Sequence, residues 1–79
     1  KVKAAYAIAD TITEAGNFMK AIYESTYKND KVKKLKLAPE RLKEVGDKLN
    51  EIGLTCDSYG KYDLTEAGCN YLTIKKLIK

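Results

Sequence analysis

Seven cations fall between positions 28 and 43: Lys28, Lys31, Lys33, Lys34, Lys36, Arg41 and Lys43, against only Asp30 and Glu40. Elsewhere the signs nearly cancel, and the net charge of +4 is mild. Fourteen of the fifteen cationic side chains are lysines. A lysine ammonium meets phosphate as a point charge, whereas a base edge is better matched by the planar fork of arginine. This cluster therefore suits an anionic backbone more than sequence readout. Other chemistry is thinly supplied. There is no histidine, so the commonest general base is missing. Glycine-rich phosphate loops, GxSxG elbows and Cys–His pairs are absent too. Asp47 and Glu51, four apart, read as a solvated helix face rather than an acid pair. Cys56 and Cys69 cannot complete a four-ligand zinc site by themselves. They read as reduced thiols of a cytosolic protein, or alternatively as a disulfide of the kind hyperthermophile proteins tolerate. The expectation is a protein that is not an enzyme and carries no metal or cofactor.

The elements that must position the lysines follow from periodicity. Positions 2–15 read as a first helix, with Val2, Ala5, Ala9 and Ile12 on one face and Tyr6 and Ile8 widening it. Gly16-Asn17 reads as a stop and restart. A second helix is expected over 18–27, where Phe18, Met19, Ile22 and Tyr23 supply core bulk. Lys28-Asn29-Asp30 breaks the pattern. Positions 31–37 fit a basic loop, a short strand or an extra helical turn, because Val32, Leu35 and Leu37 alternate with lysines. Pro39 suits the first turn of a helix, and Leu42, Val45, Leu49 and Ile52 form its apolar stripe. Gly53 suits a left-handed cap. Alternation then takes over, with Ser58, Tyr59 and Gly60 as the tip of a hairpin between about Leu54 and Leu64. Thr65 is the expected N-cap of a last helix, with Glu66 at its positive end, running to the C-terminus. The expected core is Ile12, Phe18, Ile22, Leu42, Val45, Leu49, Leu54, Leu64 and Leu72.

The order helix, Leu49-Asn50-Glu51-Ile52-Gly53-Leu54, hairpin, then Tyr62-Asp63-Leu64-Thr65-Glu66-Ala67-Gly68 resembles the second half of a winged helix-turn-helix domain. The LTEAG phrase is similar to the one that ends the wing in many small bacterial, archaeal and archaeal-virus regulators. The resemblance covers roughly residues 38–72. It implies a mainly α fold with a small β wing: about four helices plus a two-stranded hairpin. It places about ten residues between the second and third helices, where helix-turn-helix motifs use three or four. A plain helical bundle with a terminal hairpin is the alternative fold.

Seventy-nine residues make one domain with a small core. A start at Lys1 without Met reads as trimming or excision from a longer protein. No apolar run approaches a bilayer span, so no membrane partner is expected and the location reads as cytoplasmic or nucleoid-associated. The resemblance implies a transcriptional regulator on double-stranded DNA, with helix 39–52 in the major groove. Base contact then falls to Glu40, Arg41, Glu44 and Lys48. Backbone contact falls to Lys31, Lys33, Lys34, Lys36, Lys43, Ser58, Tyr59 and Lys61. Tyr71, Ile74, Leu77 and Ile78 make the last helix more apolar than a short cap needs, which points to a homodimer; the bland reading packs that face on the first helix. The second function class is a protein-docking module in a larger assembly, because fold does not fix function and the acids on helix 39–52 oppose DNA.

Overall fold

The computed structural model describes residues 2–27 and 29–78; Lys28 lies outside them. The architecture is mainly helical with a small β wing: four helices and one antiparallel hairpin, as the sequence leads one to expect. Helix α1 is Val2–Asp10 and α2 is Ala15–Glu24. The break between them falls at Thr11–Glu14, not at Gly16-Asn17, which sit inside α2. The cause is local. The Thr11 hydroxyl and amide both donate to the Ile8 carbonyl, at 2.6 and 3.0 Å, and threonines compete with helical bonding in this way. Gly16 is used instead for close approach: a methyl there would stand 3.0 Å from the Leu77 side chain. At the other end of α2, the Ser25 hydroxyl donates to Ala21 O at 2.7 Å and the backbone turns extended, so α2 ends before position 27.

Residues 25–38 then make the connection, with a 3₁₀ turn at Val32–Lys34. Of the three readings of 31–37, the extra helical turn is the one that forms. Helix α3, Pro39–Glu51, starts on Pro39 and buries Val45 and Leu49, with Leu42 and Ile52 half-buried along the same stripe. Its end is a complete Schellman motif. Gly53, at φ +86°, donates to Asn50 O, and Leu54 donates to Leu49 O, both at 3.1 Å. The accompanying apolar contact is Leu49 against Leu54, neither with any exposed surface.

Strands β1, Thr55–Ser58, and β2, Lys61–Leu64, pair antiparallel with Thr55 opposite Leu64 and Ser58 opposite Lys61. Tyr59 and Gly60 make the tip with positive φ at both positions, +53° and +79°, which is the I′ hairpin geometry. The wing is clamped from below by the Tyr62 ring. That ring lies over Gly46 of α3, where a methyl would stand only 2.5 Å away, and meets Phe18 edge-on at 5.2 Å.

Helix α4, Glu66–Ile74, begins as expected: the Thr65 hydroxyl accepts from the Gly68 N–H at 3.1 Å and donates to Gly53 O at 2.7 Å. A methyl on Gly68 would fall 2.0 Å from Leu54 O. The glycine of the LTEAG phrase is therefore required by the approach of α4 to the start of the wing. The helix stops at Ile74 rather than continuing. Leu77 donates to Leu72 O at 2.9 Å and Lys76 to Thr73 O at 3.1 Å, a second Schellman motif with Lys76 at φ +60°. The core gathers Phe18, Met19, Val45, Leu49, Leu54 and Leu72, all essentially without exposed surface. Ile22 is buried as well, while Ile12, Leu42 and Leu64 are half-buried against this core. Among the described residues no helix is long and apolar enough to cross a membrane.

Candidate nucleic-acid interface

The basic segment is shaped by its few apolar residues. Val32 is only 2% exposed, and Leu35 and Leu37 are half-buried, so Lys31, Lys33, Lys34 and Lys36 are turned to solvent. The entry to the turn is held by side chains. Asp30 accepts from the Thr26 N–H at 3.0 Å, and the Ser25 hydroxyl accepts from the Lys31 N–H at 3.2 Å. The decisive tie is Asn29. Its carboxamide donates to Tyr62 O at 2.8 Å and accepts from Tyr62 N–H at 2.7 Å, satisfying both outward-facing backbone groups of β2 at that register. Asn29 adopts φ +58° to do so, and asparagine is among the few residues that tolerate that region. A single side chain thus takes the place of a third strand and fastens the basic turn to the wing.

The consequence is a cleft of about 340 Å³ between turn and wing tip, with Lys33 and Lys61 among its walls. Lys33, Lys34 and Lys36 are held in no ion pair among the described residues; Lys31 stands beside the Asp30 carboxylate. Lys61 has Asp63 at 3.9 Å. Tyr59 is fully exposed and Ser58 half-buried. A smaller cleft of about 270 Å³ shares Gly60, Lys61 and Tyr62 with the first and is otherwise lined by Asp47, Asn50 and Asp57.

The outer face of α3 is different in kind. Lys43 pairs with Asp47 at 2.8 Å and Lys48 with Glu51 at 3.2 Å. Arg41 is held by Glu14 through Nε at 2.9 Å and Nη2 at 2.6 Å, and by Glu44 through Nη1. The Glu14 hydrogen bonds, and then those of Glu44, raise the Arg41 pKa above its ordinary value; the same bonds hold the Glu14 carboxyl below its own. All three cations of the helix are therefore answered by acids of this chain, and Glu40 is exposed beside them. Of the residues assigned to DNA, the fold brings Lys33, Tyr59 and Lys61 to one cleft. It leaves Arg41, Glu44, Lys43 and Lys48 in ion pairs along α3.

The residues assigned to a dimer face do not share one. Tyr71 is 4% exposed, stacks tilted on Tyr6 at 5.3 Å and donates to Asp10 at 2.6 Å. Leu77 and Ile78 fold back on the core, and Ile74 alone of the four is exposed. The bland reading of the last helix is the one the packing supports. Cys56 is exposed and Cys69 half-buried, and both are free, so the disulfide alternative is not realised. Sequence reasoning missed Asn29 and Glu14. An Asn-Asp turn pair was the signal for the first; the second depends on a partner 27 positions away. No family model matches the chain, and neither a curated protein nor a solved structure shows significant similarity to it.

Proposed function

We propose that the protein binds double-stranded DNA, chiefly through its phosphates. The observation that carries this reading is the fixed row of exposed lysines at 31, 33, 34 and 36, fastened by Asn29 to a wing that adds Lys61. The helix–helix–helix–wing–helix order supports it in the terms of the winged-helix resemblance. The lysines and wing hold the backbone, and α3 lies toward the groove. Arg41 acts as a latch between α2 and α3 in this reading, since base contact would require it to leave Glu14. Sequence preference is accordingly weak.

Anisotropy titrations with duplex DNA over a salt series test the proposal. Engagement of about four to six phosphates gives a slope of log K against log salt of about −4 to −5. Glutamine at Lys31, Lys33, Lys34 and Lys36 together weakens all sequences alike and flattens that slope; unchanged binding would sink the proposal. Arg41→Ala lowers the melting temperature without altering preference at any base pair if it is a latch. A second reading, docking of a protein partner, is favoured by one observation: the self-neutralised outer face of α3, with three cations against four acids. It becomes the first choice if the lysine variant binds DNA like the parent.

A further inference from the structure

The cleft between the basic turn and the wing tip has more structure than a phosphate contact needs. The half-buried Leu42 gives it apolar surface, with the buried Val32 behind. Its cations, Lys33 and Lys61, stand on different elements, one on the 3₁₀ turn and one on β2. Those elements are tied together by the two Asn29–Tyr62 hydrogen bonds, which hold both walls in place while they are made. At the rim stands Tyr59, fully exposed, whose ring packs on none of the described residues. Its backbone is left-handed, at φ +53°, in a turn position where Asn, Asp or Gly is strongly preferred. An aromatic residue held in an unfavourable conformation with no packing return points to a contact outside the chain. The volume of about 340 Å³ lies at the small end of ligand sites.

We propose that this cleft binds a nucleoside monophosphate unit, its phosphate taken by Lys33 and Lys61 and its base laid between Leu42 and the Tyr59 ring. Two compact ammonium groups answer a phosphate, and an exposed aromatic face next to an apolar side chain answers a base, which every nucleotide presents. The same chemistry comes from a free nucleotide or from one unit of a strand. The strand case rests on the DNA-binding reading, and the free case does not.

The test titrates the intact chain with deoxyadenosine monophosphate, deoxyadenosine and inorganic phosphate, then with a short oligo(dA) strand and with duplex DNA, following amide shifts by NMR. Deoxyadenosine monophosphate is expected to bind saturably and at least about tenfold tighter than either fragment, the step that about 1.4 kcal/mol of added contact gives. The Lys33→Gln, Lys61→Gln double variant weakens it by a similar factor. Tyr59→Asn, which suits the turn, weakens it while raising the melting temperature, so loss of binding cannot be loss of fold. If oligo(dA) displaces the mononucleotide and binds tighter, the source is a strand; if it does not displace it, the source is the free nucleotide. Mononucleotide binding no tighter than inorganic phosphate, or binding untouched in the double variant, overturns the proposal. Duplex binding by the parent alongside that result leaves the DNA reading standing. Mononucleotide binding without duplex binding does the reverse.

Discussion

Asn29 joins the basic turn to the wing through both polar atoms of its carboxamide. It is 9% exposed and joins two backbone groups 33 positions away. Replacing it leaves a part-buried N–H and C=O of Tyr62 without protein partners. Asn29→Gly keeps the left-handed backbone and loses both bonds, so it is expected to cost about 2–3 kcal/mol in urea unfolding. Asn29→Ala loses the same bonds and adds left-handed strain, about 1 kcal/mol more. Equal costs in the two variants would show that the backbone is not held in that region. The turn was legible in the sequence at Lys28-Asn29-Asp30, but the bond to Tyr62 was not. A turn residue announces that the chain bends, but its side-chain partner is fixed by tertiary approach. The glycine of LTEAG stands between these cases. Its place in the phrase was visible, while its reason, the lack of room for a side chain beside Leu54 O, required the packed helix.

The best-read elements carry their own punctuation. Pro39 and Gly53 bracket α3, and Thr65 opens α4, because caps are local chemistry. The ends of α1, α2 and α4 were read too long, because periodicity continues past the point where hydrogen bonding stops. At α4 the stop is a left-handed Lys76, a residue with no local preference for that role. Lys76→Gly should therefore stabilise the protein by about 0.5–1 kcal/mol, the relief of strain less the added freedom of the unfolded chain. A melting temperature at or below the parent's would contradict this. Between elements, α2 and α3 are joined by Glu14 and Arg41, and α1 and α4 by Asp10, which receives Tyr71 at 2.6 Å and Lys75 at 2.9 Å. The hydrogen bonds from Arg41, and those from Tyr71 and then Lys75, hold the Glu14 and Asp10 carboxyls below their ordinary values. A depressed carboxyl contributes stability that is present above its unfolded pKa and lost as pH falls through the folded one. Melting temperature should fall as the medium drops below about pH 4, and Glu14→Gln should flatten part of that fall. Tyr71 works in the opposite direction. Burial, and then its bond to Asp10, pushes its phenol up to about 12, so its contribution is full below the unfolded value of about 10 and is lost as pH rises toward 12.

At the scale of the whole molecule, residues 39–72 form a local unit, α3, wing and α4, against which α1 and α2 supply the rest of the core. That unit is the part the sequence made most legible, since its contacts are close in the chain. The basic turn is the part it left open, and the candidate cleft was illegible for the same reason: its walls come from segments near 33 and near 60. The Tyr62 N–H is bonded across this gap, to a side chain of the turn and not to the other strand. Its exchange with deuterium therefore reports a different event from that of the ladder amides beside it. If the turn swings away from the wing, the Tyr62 proton is released while the hairpin stays paired. We expect it to exchange faster than the cross-strand amides of β1 and β2, and to slow when nucleotide fills the cleft. Identical rates at all these positions would mean that turn and wing open only together, as one cooperative body. In that event the lysines could not reach for a ligand independently of the hairpin, and binding would be rigid docking rather than capture by a hinged arm.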